Sequence, residues 1–186
     1  MAATGKPSSL AGVVVAVGAS PWEGRAKALK QVRDGHTTTV ERVVSIVGER
    51  CTPVLVVSSQ GQALPDLPAQ VVRDDLRGHG QLSAIGRGLR AADEAGAKYA
   101  FLCSVDAEVL SAEVIDLLAA RAVAVGADIV LPWNGSNHYL AAVYKTELAS
   151  VVEDLVAAGE RTISALVARV DTQRVVIADS GSLVEA

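Results

Sequence analysis

Apolar residues fall into two patterns along this chain. Short β-branched or aliphatic runs alternate with stretches in which apolar positions recur every three or four residues. The runs Val13–Val17, Pro53–Val57, Gln70–Arg73, Lys98–Ser104, Asp128–Pro132, His138–Tyr144 and Arg174–Ile177 read as strands. Most are continuous rather than alternating, as in a parallel sheet covered on both faces. Between them the helical period takes over. Thr38 and Glu41 have capping-box spacing, and Val40, Val43, Val44 and Val47 then share one helical face. Leu82, Ile85, Leu89 and Ala92 share another, behind Gly78-His79-Gly80. Ser111 is placed to cap a third helix, and Thr146 a fourth that carries Leu148, Val151, Val152 and Leu155 and closes at Gly159. Strand and helix alternate almost throughout, which predicts a three-layer α/β/α sandwich on a mainly parallel, Rossmann-like sheet.

Composition narrows the function. With 186 residues, 50% of them hydrophobic, the chain can bury one sizeable core, and a single domain over 1–186 is expected. Aromatics make up only 3%, so small aliphatics must build that core. A formal charge of −4 and no Lys/Arg cluster argue against a nucleic-acid-binding face, whose affinity comes from many neutralised phosphates. Cys51 and Cys103 lie in or beside apolar runs and read as reduced core thiols. The N-terminal segment has neither the apolar length to span a bilayer nor a signal-cleavage pattern, so no membrane partner is expected and the cytoplasm is the expected location.

The chemistry concentrates after the first strand, in Gly18, Ser20, Pro21 and Gly24 with Lys27 at the far end. Glycines let backbone N–H groups approach a polyphosphate, and a Lys supplies a point charge. The Walker spacing G-x-x-x-x-G-K-[ST] is not met, because Gly18 and Gly24 are one residue too far apart and Arg25 follows. A short-chain-dehydrogenase loop would place Trp22 where a glycine must admit a pyrophosphate. That family's Tyr-x-x-x-Lys pair is missing too, since Tyr99, Tyr139 and Tyr144 are followed four positions on by Cys103, Val143 and Leu148. A second candidate is Asp106, just past the apolar run Lys98–Ser104. Ligands of open parallel sheets bind beyond the carboxyl ends of the strands, and a lone carboxylate there suits Mg²⁺, which takes its other ligands from phosphates and water.

The loop aligns without a gap to L-A-G-G-x-S-x-R-M-G-x-D-K, the nucleotidyltransferase loop of the molybdenum cofactor guanylyltransferases. Ala16, Gly18, Ser20, Gly24 and Lys27 match it, while Val17, Trp22, Glu23 and Ala26 depart from it. Further segments resemble that family in order: Gly35–Val43, Gly78–Ile85, Asp106 of its C-D-M-P, His138–Tyr144 with Tyr139 in place of Pro, and Gly159–Val170 with Arg161. The resemblance implies the nucleotide-diphospho-sugar transferase type of fold and transfer of GMP from GTP to the molybdopterin cofactor. It implies a nucleotide site at Ala16, Gly18, Ser20, Gly24, Arg25, Lys27, Asp74 and Gly80, and an acceptor site at His138 and Arg161. Lys27 and Asp106 would carry catalysis, with Mg²⁺ on Asp106. The implied partners are GTP and molybdopterin, with molybdoenzymes or other cofactor-biosynthesis proteins beside them. Two alternatives share these residues: a non-catalytic relative that binds a nucleotide, the cofactor or a partner enzyme, and a nucleotidyltransferase for another base or acceptor.

Overall fold

The structure, a computed structural model, describes residues 10–17, 27–32, 35, 37–74 and 80–178. Seven strands form one sheet: β1 (Leu10–Val15), β2 (Val54–Ser59), β3 (Gln70–Asp74), β4 (Tyr99–Ser104), β5 (Ile129–Trp133), β6 (Ala141–Lys145) and β7 (Thr172–Val176). Their spatial order is β3-β2-β1-β4-β6-β5-β7, and β6 alone runs antiparallel to its neighbours β4 and β5. All the other pairs are parallel. The expected three-layer, mainly parallel architecture is therefore present. β4 is the middle strand, and β1 beside it alternates strictly, sending Val14 to one apolar cluster and Val13 and Val15 to the other.

Helices α1 (Thr39–Gly48) and α3 (Ala112–Val125) cover the first face. α1 forms because its sequence satisfies its own first turn. The Glu41 carboxylate accepts the Thr38 N–H at 2.7 Å, the Thr38 hydroxyl accepts the Glu41 N–H at 3.4 Å, and the four valines named above are buried. Ser111 caps α3 as expected, accepting the Val114 N–H at 3.3 Å. Cys51 and Cys103 are buried in this same layer, where burial pushes the Cys103 thiol up and keeps it protonated.

The opposite face is covered by α2 (Gly80–Glu94), α4 (Leu148–Ala157) and α5 (Ile163–Val167). α2 is pressed between sheet and helix at two glycines. A Cβ on Gly88 would land on Val13 Cγ1, and one on Gly86 would come within 2.8 Å of Val152 Cγ1 on α4. Two expectations are corrected here. Thr146 does not cap α4, which begins one residue later behind Glu147; the buried Thr146 hydroxyl is held instead by the Ala97 carbonyl, to which it donates at 2.7 Å. The strand expected from His138 begins only at Ala141, since residues 138–140 turn to bring the chain back along β5. Among the described residues no helix is long and apolar enough to cross a membrane.

Candidate functional site

The carboxyl ends of the strands open onto a cavity of about 320 Å³ lined by Gln81, Ser104, Asp106, Glu108, Asn137, His138, Tyr139 and Ile163, among others. Ser104 ends β4, and four further segments supply the rest. Gln81 stands in the first turn of α2, Asp106 and Glu108 in the loop after β4, Asn137 to Tyr139 in the β5–β6 connection, and Ile163 at the start of α5.

Asp106 is presented by the packing of its neighbours. Val105 and Val109 are each only 5% exposed and anchor the loop in the core, while the Ala107 N–H closes a turn onto the Ser104 carbonyl at 3.3 Å. Asp106, the first of the three residues between these anchors, is exposed and sits at the cavity wall. No group of three His, Cys, Asp or Glu residues able to hold a metal occurs among the described residues. The hard carboxylate oxygens of Asp106 at the cavity wall suit a divalent cation that draws most of its ligands from phosphate oxygens and water.

His138 joins Asp106 at the same cavity. Its Nε2 lies 2.8 Å from Asn134 Oδ1, and its backbone N–H donates to the Pro132 carbonyl at 3.2 Å, so the imidazole is held by the turn that carries it. Tyr139 is held at both ends. Its carbonyl accepts the Tyr144 hydroxyl at 2.7 Å, and its own hydroxyl accepts from Asn137 Nδ2 at 3.1 Å. Burial raises the Tyr144 phenol well above its usual range, which keeps that donor protonated.

Of the remaining sequence candidates, Ala16, Asp74, Gly80 and Arg161 do not line this cavity. Ala16 ends β1's side of the site: its N–H donates to the Val57 carbonyl at 2.8 Å and its carbonyl accepts Gln62 Nε2 at 2.9 Å. Arg73 in turn holds the Gln62 carbonyl at 2.8 Å and the Ser58 hydroxyl at 2.9 Å, so the β2–β3 loop is tied to the exit of β1. Asp74 ends β3, is 8% exposed and accepts the Ser83 hydroxyl at 3.4 Å, two strands away from β1 and outside the cavity lining. Gly80 opens α2 at φ +73°, a left-handed conformation suited to glycine, and faces the Arg161 backbone. The Arg161 guanidinium donates to the carbonyls of Glu160 at 2.9 Å and Val156 at 3.4 Å, satisfying the end of α4, while Ile163 two residues on reaches the cavity. Lys27 opens a single 3-10 turn, Lys27–Leu29. Gly18, Ser20, Gly24, Arg25 and the Lys27 side chain lie outside the described residues.

Sequence reading did not select Asn137, Tyr139 or Gln62. Asn137 and Tyr139 flank the selected His138, and their signal was two hydrogen-bonding side chains in a turn between strands. Gln62 lies in a Gly/Pro-broken loop and gives no signal of its own.

The mostly parallel seven-stranded sheet with helices on both faces is the fold of solved nucleotidyltransferases of the nucleotide-diphospho-sugar transferase type. The chain belongs to the MobA-like NTP transferase domain family, whose model matches residues 12–175. It is 55% identical over 175 residues to a probable molybdenum cofactor guanylyltransferase of Mycobacterium marinum (strain ATCC BAA-535 / M), covering 94% of this chain and 87% of that one. Among solved structures it is similar to molybdopterin-guanine dinucleotide biosynthesis protein A from Archaeoglobus fulgidus, with a TM-score of 0.71 at 18% identity over 89% of this chain and 82% of the other. It also resembles the manganese complex of Rv0371C from Mycobacterium tuberculosis H37Rv, with a TM-score of 0.64 at 18% identity over 92% of this chain and 89% of that one.

Proposed function

We propose that this single-domain protein transfers GMP from GTP to the molybdopterin cofactor in the cytoplasm and releases pyrophosphate. A phosphate oxygen of the acceptor forms a bond to the α-phosphorus of GTP, and the bond from that phosphorus to the bridging oxygen of pyrophosphate breaks. The observation that carries the reading is the position of Asp106. It follows β4, the strand between β1, after which the family loop begins, and β6, and it lines a cavity shared with the β5–β6 connection, where a second substrate has room.

The protein's part in such a reaction is positioning and charge, and no side-chain nucleophile is required. The loop from Gly18 to Lys27 would hold the triphosphate, with Arg25 beside it and Asp74 and Gly80 on the nucleotide side; His138 would face the acceptor, and Arg161, whose guanidinium is bonded to the end of α4, would reach it only by leaving those carbonyls. Asp106 would hold Mg²⁺, which supplies neutralisation of charge on the phosphate oxygens when bound. Molybdoenzymes or other cofactor-biosynthesis proteins are the natural recipients of the product.

The test is turnover of the purified protein with molybdopterin, Mg²⁺ and each of GTP, ATP, CTP and UTP, scored by pyrophosphate release and the mass of the product. GMP addition with GTP alone is expected. Turnover confined to another nucleotide would overturn the guanylyl assignment, and binding without pyrophosphate release would favour a non-catalytic cofactor- or nucleotide-binding role.

A further inference from the structure

We propose that the Tyr139 hydroxyl is a dedicated hydrogen-bond donor to an anionic oxygen of the acceptor substrate, oriented for that task by a relay from Arg174 through Asn137. The inference rests on the transfer reading above and deepens it.

The direction of the relay follows from which groups can donate. A guanidinium has donors only. Arg174 Nε lies 2.8 Å from Asn137 Oδ1, so the carbonyl end of that amide must face Arg174. The amide's other end, Nδ2, then points at the Tyr139 hydroxyl oxygen, 3.1 Å away. An amide nitrogen cannot accept, so Tyr139 is the acceptor in this bond and its own proton is left to go elsewhere. Among the described residues nothing is placed to accept it. The ring that bears it is half-buried, fixed at its backbone by the buried Tyr144, and part of the cavity wall. A phenol held this way is a donor looking for an oxygen.

Sheet order says which substrate brings that oxygen. The exit of β1 lies on one side of β4 and the segment entering β6 on the other, with Asp106 after β4 between them. A nucleotide seated at the loop after β1 reaches Asp106 with its phosphates, and the β6 side is left for the second substrate. The candidate bond is therefore to a phosphate oxygen of the acceptor, whereas a triphosphate oxygen of the nucleotide is the competing source.

Two variants cut the relay at different points. Tyr139→Phe keeps the ring and removes the donor. Asn137→Asp keeps an acceptor for Arg174 but cannot donate, so the carboxylate draws the Tyr139 proton to itself and away from the cavity. Both should lower kcat/KM for the acceptor by about tenfold, the scale of one hydrogen bond to a charged group. The KM for GTP should stay unchanged. The double variant should be no worse than either single one, because each removes the same bond, a pattern that loss of fold would not produce. Wild-type acceptor kinetics in Tyr139→Phe, additive losses in the double variant, or a loss that falls on the GTP KM would each overturn the inference while the transfer reading stands. A wild-type protein that releases no pyrophosphate with any nucleotide would overturn both.

Discussion

Replacing Gly88 by Ala should destabilise the protein although alanine is the better helix former. Gly88 sits inside α2 on the side pressed to the sheet, and the added Cβ would overlap Val13 Cγ1 and approach Val57 Cγ2 at 3.1 Å. Neither neighbour can give. Val13 and Val57 are 0% exposed, both are β-branched with a single preferred rotamer, and both belong to central, paired strands. Overpacking of this kind costs about 1–3 kcal/mol, and the absence of slack argues for the upper end, about 3 kcal/mol. The gain in helix propensity returns about 1 kcal/mol. The net loss is about 2 kcal/mol, which for a chain of this size lowers Tm by about 4–8 °C.

The same change at Gly48 supplies the control. Gly48 ends α1, is exposed, and its nearest neighbour to an added Cβ is Val54 Cγ2 at 3.9 Å, an ordinary contact. With no clash to oppose propensity, Gly48→Ala should raise stability by up to about 0.5 kcal/mol. Thermal and urea unfolding of both variants checks the pair. Opposite signs are expected, and a Gly88→Ala protein as stable as the wild type would refute the claim that contact with Val13 sets the distance of α2 from the sheet.

Asp106→Ala should abolish metal-dependent turnover with Tm within about 1 °C of the wild type, since an exposed loop carboxylate contributes little to stability; assaying turnover across Mg²⁺ concentrations decides it, and undiminished activity would return Asp106 to a purely structural place. Lys27→Ala should weaken GTP binding by about 1.5–3 kcal/mol, the scale of a hydrogen bond to a charged group, and equal calorimetric affinities would place Lys27 outside the site. Asp128 is held below the usual carboxylate range first by the Lys145 hydrogen bond at 2.8 Å and then by the Asp171 N–H, against an opposing effect of burial. A depressed folded-state pKa gives stability that is present above the unfolded value of about 3.9 and lost as pH falls through the folded one. Asp128→Asn should therefore cost about 0.5–1 kcal/mol at pH 7 and nothing at low pH, and a gap in urea midpoints that persists in acid would contradict the pairing.

How far the fold was legible depends on how local its causes are. α1 was readable because everything that starts and orients it lies within ten residues: the Thr38–Glu41 box and four valines on one face. The strands were readable because a buried parallel strand is apolar on both faces, and β1 divides its valines between the two clusters as that reading requires. Thr146 was misread because its partner, the Ala97 carbonyl, is 49 positions away in sequence. No local rule ranks that acceptor above a helix cap. The glycines of α2 show the same limit, since propensity alone counts Gly86 and Gly88 as flaws in a helix, and only the positions of Val152 and Val13 make them requirements.

The two halves of the site divide along the same line. A nucleotide loop works through backbone N–H groups, and the need for them is written as glycine spacing within a dozen consecutive residues, where a motif can be recognised. In the reading proposed above, the acceptor half would work through side chains that other strands orient. Asn137 can aim Tyr139 only because Arg174, 37 positions on, arrives beside it on β7. That meeting depends on β5 and β7 pairing in parallel with Trp133 opposite Val176, a register no pattern of single residues specifies. His138 was selected and its neighbours Asn137 and Tyr139 were not, because a histidine advertises chemistry by residue type. An asparagine and a tyrosine would acquire it, on the proposal above, from the direction in which one amide is turned. Specificity for the acceptor should therefore be altered most readily by changes on β7 and in the β5–β6 connection, at positions that leave the nucleotide loop untouched.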